Sequence, residues 1–397
     1  MFKIPFFGEL LSRILHTCYL DDIVDRLHWN VTVIVLILCS LFVGAKQQFG
    51  QPIQCMLPAH FDQNSWSYYG QYYCFVQNTY RLTYNKTLPS ACSRAKLHPD
   101  TDINYYQWVP FFLAIQALSF YIPGWLWTML QSQRALDMKA VVREAMSLKS
   151  TFKFEGRVEK LTNLVNYIAS GLRMKLNVNI CRTKWYKLPL SKVNGLSLTL
   201  YLVSKLLNVV NNAVQLHIIG RFIGSNSLFW PLTNIPSTPS YFPLITFCDM
   251  ERSTLGKSEI NTLQCVLMLN FINQKIFFML WYWISLLFFI SLIDFIGTFV
   301  QCVQLHRREN LLKFYLQVIL KSRQKDEMTD EEYFLLKDKG RLRICAIEFL
   351  GLDGALLLRF INDHAGIIVT RDISVGLWHY FCTFYQHSIQ EFKSLKI

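Results

Sequence analysis

The sequence predicts a mainly α, polytopic membrane protein with four transmembrane helices, disulfide-stapled extracellular loops and a helical cytoplasmic domain. Three observations carry that expectation. Across 397 residues the chain is 52% hydrophobic and 15% aromatic yet 17% charged, too apolar for an ordinary soluble protein and too charged to lie wholly in lipid. Four apolar stretches, Trp29 to Ala45 with its flanks, Phe111 to Leu130, Leu196 to Ile223 and Ile276 to Val300, suit a hydrocarbon core that takes about 20 helical residues to cross. The connection from Gln131 to Asn194 holds thirteen Lys/Arg against four Asp/Glu, whereas Gln47 to Asn104 holds four Lys/Arg and Gly224 to Gln274 two. By the positive-inside rule the middle connection is cytoplasmic, and an even number of spans puts both termini there as well.

The chain then divides into an amino-terminal helix (1–28), a first span (29–46), an outer loop (47–105), a second span (106–130), a cytoplasmic loop (131–194), a third span (195–223), a second outer loop (224–274), a fourth span (275–302) and a cytoplasmic carboxy-terminal domain (303–397). The formal charge of +13 follows this topology, so it is read as membrane placement rather than as a nucleic-acid patch.

The first twenty residues put Phe7, Leu10, Leu11, Ile14 and Cys18 on one helical face. Asp21, Asp22 and Asp25 follow where a cleavable signal would need a small-residue cleavage site, so this is an amphipathic helix and not a signal peptide. Such a helix either lies on the membrane surface or folds into a pore.

The first outer loop is rich in aromatic residues, which disordered segments lack, so it is folded. Cys55, Cys74, Cys92, Cys248 and Cys265 fall outside and see an oxidising compartment. Four staple cysteines, Cys55, Cys74, Cys248 and Cys265, allow three connectivities, which spacing does not choose among. Cys92 is a free thiol or pairs between subunits. No cysteine spacing is that of a zinc site, so no metal is expected. Asn85-Lys86-Thr87 in the outer loop has the pattern of a glycan acceptor, which its presence alone leaves either filled or empty.

Tyr105, Tyr106, Gln107, Trp108, Val109 and Pro110 lead into the second span as an aromatic, polar-tipped doorway whose proline sits early in the helix. Pro123, followed by Gly124, predicts a kink in that span. The cytoplasmic loop reads as helices broken near Gly156 and Gly171, and its basic charge suits anionic lipid heads.

The third span is polar, with Lys205, Asn208, Asn211, Asn212, Gln215 and His217. Such groups face partners or water rather than lipid. Lys205 and Asp294 lie at matching depths from the cytoplasmic side and are expected to pair; a pore-facing Lys205 is the alternative. The tail after Val300 carries fourteen Lys/Arg and twelve Asp/Glu, as a soluble helical domain does, with Asp353 and Gly354 expected to form a turn or cap.

The run YYQWVP at the head of the second span resembles the hallmark of the innexins, the invertebrate gap-junction proteins. So do PIQC at 52–55, YYCFVQNTY at 72–80, FPLITFCD at 242–249, TLQCVLMLN at 262–270 and the tail around Asp353-Gly354. The chain has Leu244 where the family usually has arginine, and Gln274 where it usually has glutamate. Connexins differ in carrying three cysteines in each outer loop, tetraspanins carry Cys-Cys-Gly, and pannexins lack YYQWVP.

The resemblance implies bridges between the loops, Cys55 with Cys265 and Cys74 with Cys248, holding the helix ends in one rigid cap. It also makes Lys205 a family feature and lines the cytoplasmic pore mouth with the amino-terminal helix, narrowest at Met1, Phe2, Lys3 and Ile4. The function implied is a plasma-membrane gap-junction subunit, assembled with like or mixed innexin subunits in a ring of eight. Docking on the opposing hemichannel of a neighbouring cell would pass ions and small metabolites; the alternative is an undocked hemichannel. Membrane lipids are the other partners, and no nucleic acid or cofactor is implied. An enzyme would need converging catalytic groups, and His217 and Lys205 stand about 18 Å apart by helical rise.

Overall fold

The computed structural model describes residues 20–57, 64–77, 79–80, 102–103, 105–132, 136–151, 154–182, 195–223, 242–254, 256–321 and 339–394. Along them come α1 (Ile23–Phe49), β1 (Gln54–Met56), α2 (Asn64–Val76), β2 (Thr79–Tyr80), β3 (Asp102–Ile103), α3 (Val109–Ser132), α4 (Met138–Ser150), α5 (Phe154–Arg182), α6 (Leu196–Ile223), β4 (Ile245–Thr254), β5 (Lys257–Val266), α7 (Met268–Val303), α8 (Leu305–Lys321), α9 (Lys339–Ile344), α10 (Gly351–Ala365) and α11 (Ile367–Ser394). They separate into a helical unit, Met1–Asn30, Ile122–Val209 and Ile290–Ile397, and a sheet unit, Val31–Tyr121 and Val210–Phe289.

Among the described residues three helices, α1, α3 and α7, are long and apolar enough to cross a membrane. With its 28 residues α6 is about 42 Å long, but its lysine, asparagines and glutamine make it less apolar than the others. Those polar groups turn into the protein: Lys205, Asn208, Asn212 and Gln215 are all buried, while Val203, Leu207, Val210 and Val214 are exposed. Buried polar side chains need partners within the protein, and α6 distributes its faces accordingly.

The helix α7 begins seven residues before the span expected from Lys275, because helix ends are set by satisfied amides and not by lipid thickness. Its first turn finds carbonyls nearby: Leu269 N–H donates to Pro52 at 3.2 Å, and the Asn270 side chain to Pro243 at 3.1 Å. Likewise α3 runs unbroken through Pro123.

In the sheet unit the strand order is β1-β5-β4-β2-β3, with every pairing antiparallel. β4 and β5 pair over ten residues each, from Ile245 opposite Val266 to Thr254 opposite Lys257. Gly256, at φ 90°, supplies the left-handed backbone that closes so tight a hairpin. Beneath it lies a core that includes Phe120, Phe242, Phe277, Trp281 and Ile53. A polar thread crosses this apolar packing. Gln116 donates to Gln215 at 2.8 Å, and Gln215 to the Ser119 hydroxyl at 2.9 Å.

In the helical unit α4, α5, α8, α10 and α11 share one core, with Ile168, Leu316, Leu356, Phe360, Ile373 and Trp378 buried in it. α4 ends at Ser150 and α5 begins at Phe154, which puts the expected break near Gly156, whereas the break expected near Gly171 is corrected: α5 runs through it. Gly171 is small because a side chain meets it, since a Cβ there would lie 2.7 Å from Leu136. The start of α4 is fixed by Asp137, whose carboxylate accepts from Lys139 N–H at 2.9 Å and Ala140 N–H at 3.1 Å.

α5 and α11 come close at Gly376, where a Cβ would stand 2.6 Å from the stiff Val165 side chain. Gly376→Ala is therefore expected to destabilise the protein by about 1 kcal/mol, overpacking outweighing the gain in helix propensity. Adding Val165→Ala should restore the wild-type melting temperature in detergent.

Candidate functional site

The aromatic run that heads α3 forms a latch. Tyr105–Gln107 make one 3-10 turn, and Val109 starts the α-helix. Tyr106 is fully buried and its hydroxyl donates to the Phe75 carbonyl at 3.0 Å, while the Gln107 amide donates to Phe75 and Val76. These are orphan carbonyls of the last turn of α2, so the run serves as its carboxy-terminal cap. Trp108 stays exposed, and the Pro110 carbonyl accepts from the Ser40 hydroxyl of α1 at 2.7 Å.

Around that latch lie the two disulfides. Cys55 joins Cys265 between directly opposed positions of β1 and β5, and Cys74 joins Cys248, tying α2 to β4. Cys55, Cys74 and Cys265 also form a grouping of potential metal-ligand residues, but their sulfurs are bound in these bridges and are not thiolates.

The helical unit holds the second site, a buried charge cluster. Lys205 of α6, 3% exposed, pairs with Asp294 of α7 and lies 3.3 Å from both Asp22 and Asp25. Arg359 of α10 reaches Asp22 at 2.8 Å, the Thr298 hydroxyl at 2.8 Å and Asp294 at 3.7 Å. The Tyr201 hydroxyl lies 2.9 Å from Asp22 and 2.8 Å from Asp25, offering one proton between two carboxylates. Its ring meets Phe360 edge to face and lies tilted against Trp127, and the Lys205 ammonium sits 4.8 Å over its face.

Sequence depth matching placed Lys205 beside Asp294, but the structure gives the lysine three carboxylates and not one. Asp22 and Asp25 come from the turn where α1 begins, with Asp22 as the helix N-cap. The signal was an acidic run, Asp21, Asp22 and Asp25, directly before an apolar stretch. Arg359 left no such signal, because its partners come from helices far away in sequence. Lys205 is buried within its own chain, so the water-facing alternative has no exposed surface to act through.

Burial works to raise the Asp22 carboxyl pKa, but the charges of Lys205 and Arg359 outweigh it and hold it below the usual range. Burial also works to lower the Arg359 guanidinium, and Asp22 overcomes it and raises it. The sign for stability follows. Ionised Asp22 stabilises the folded chain above an unfolded carboxylate pKa of about 3.9, and that contribution is lost as pH falls through the lower folded value. Asp22→Asn should accordingly flatten the fall in melting temperature below about pH 4, relative to wild type.

One further contact runs to the head of α1. His364 donates through Nδ1 to the Phe360 carbonyl at 2.9 Å and accepts at Nε2 from Arg26 at 2.8 Å. Near Pro123, its carbonyl accepts from the Ser204 hydroxyl at 3.1 Å. The expectations for Met1, Phe2, Lys3, Ile4, Asn85 and Cys92 lie outside the described residues.

The family model for innexins matches residues 21–381. The chain is similar to Innexin-3 of Caenorhabditis elegans, 31% identical over 386 residues that cover 95% of this chain and 88% of the relative. It is also similar to Innexin unc-9 of the same organism, 32% identical over 381 residues covering 91% and 92%, and to Innexin-19 of Caenorhabditis briggsae, 29% identical over 392 residues covering 90% and 85%. With its apolar crossing helices, its two bridges and this match across nearly its whole length, the chain belongs to the innexin family of gap-junction channel proteins.

Proposed function

We propose that this chain is the subunit of an intercellular channel: four spans per subunit, eight subunits in a ring, and two rings docked through their outer loops. Ions and small metabolites pass down their gradients, with no bond chemistry. The observation that carries this reading is the pair of bridges joining the two segments that link crossing helices, Cys55 to Cys265 and Cys74 to Cys248. Docking needs a surface that keeps its shape, and covalent ties between the loops supply one.

The fourth span is α6, whose polar face is buried among protein partners as a bundle helix requires. The basic excess between Gln131 and Asn194 supports cytoplasmic termini and contact with anionic lipid heads. Met1 to Ile4 and the outer half of the first span form the narrow part of the pore, and a glycan at Asn85 would favour the undocked hemichannel.

Purified protein reconstituted into vesicles loaded with small and large fluorescent dyes tests the pore. Release of the small dye alone is expected; retention of both, or loss of both with vesicle rupture, would contradict it.

A further inference from the structure

The start of α6 has no cap of its own. Its first-turn amides need acceptors, and the residue before the helix is Gly195, which has no side chain to offer one. The acceptor comes from 156 residues away. Asp353 of α10, 6% exposed, takes hydrogen bonds from Ser197 N–H and Leu198 N–H at 3.1 Å each. A carboxylate at this position also meets the positive end of the α6 dipole.

A steric fit accompanies the cap. A Cβ on Gly195 would lie 2.6 Å from Leu352 Cδ1 and 2.8 Å from Leu352 Cβ. Because Leu352 Cβ is fixed to the α10 backbone, only glycine lets α10 come this close. Beyond the joint, α10 continues to Arg359 on Asp22 and Thr298, and to His364 on Arg26. One tail helix thus holds the start of α6 with one end and the start of α1 with the other. Lys205 lies eight residues, about 12 Å, beyond the amide capped at Ser197.

We propose that Asp353 is a positioning residue: with the Leu352–Gly195 fit, it sets α6 and its lysine cluster, and so passes the state of the tail domain to the channel. The regulatory half of this inference rests on the channel reading above; the joint itself does not.

The test uses full-length protein in lipid nanodiscs and in cells. Asp353→Ala removes the acceptor, Asp353→Asn keeps an oxygen there, and Gly195→Ala wedges the joint. Leu352→Gly added to Gly195→Ala moves the space to the other side. In hydrogen exchange, Asp353→Ala should speed Ser197 and Leu198 about 10- to 100-fold, as losing hydrogen bonds to a charged group implies, with β4 and β5 unchanged. Asp353→Asn should recover most of that protection. In membrane current, Asp353→Ala and Gly195→Ala should shift the voltage of half-activation in the same direction, and the Gly195→Ala, Leu352→Gly pair should return it towards wild type.

Wild-type exchange at Ser197 and Leu198 in Asp353→Ala overturns the joint. Faster exchange with an unshifted current–voltage relation overturns the regulatory role. A wild type without current at the cell surface counts against the channel reading instead, and the exchange experiment still decides the joint.

Discussion

Lys205→Ala should cost about 3–5 kcal/mol, the usual penalty for stripping one partner from a buried charge cluster. Wild type packs three carboxylates, Asp22, Asp25 and Asp294, against Lys205 and Arg359, and so buries one net negative charge. Removing the lysine leaves one cation, Arg359, for three carboxylates, and of these it reaches only Asp22 and Asp294. Asp294→Ala has the opposite effect on the balance, leaving two carboxylates with two cations, and should be much milder. The double variant returns the cluster to one net negative charge and should fall between them.

Melting temperature in detergent and the yield of intact assembly measure this order. A Lys205→Ala protein as stable as Asp294→Ala would mean that the cluster's charges are compensated by water or ions and not by one another.

Removing the Cys74–Cys248 bridge should be the second large effect, about 2–5 kcal/mol by comparison with other native disulfides. The bridge spans 174 residues of sequence and fixes α2 to β4, two elements with no backbone ladder between them. Cys55–Cys265 spans 210 residues, and its loss frees β1, a strand of only three residues. A Cys74→Ala, Cys248→Ala protein should therefore reach the surface poorly and melt earlier. What survives should show its damage in the sheet unit, read as faster hydrogen exchange in β4 and β5 while α10 and α11 keep wild-type protection. Uniform loss of protection would instead mean that the bridges are needed to fold the whole chain.

Much of this architecture was legible because lipid imposes long apolar helices, and α1, α3 and α7 announce themselves by composition. The sidedness of α6 was legible too, since Lys205, Asn208 and Asn212 were expected to face partners or water and are buried in the protein. Contacts between distant segments were not. Asp353 reads as a local turn or cap because Asp-Gly usually forms one; it lies inside α10, and which helix it caps, one 156 residues earlier, depends on tertiary structure alone. Gly171 was misread for a related reason: a glycine that breaks a helix and one that admits Leu136 look alike in sequence. Spacing left the disulfide pairing open among three connectivities, and only resemblance chose one. The latch of Tyr106 and Gln107 on α2 was hidden because an aromatic doorway already explained those residues.

The central claim is that the stapled loops dock two rings across a cell–cell gap. Conductance between paired cells that express this chain alone tests it most directly. Coupling that is lost with the Cys74→Ala, Cys248→Ala variant is the expected result. No coupling, with the protein at both surfaces and current present in single cells, would contradict docking and leave a hemichannel.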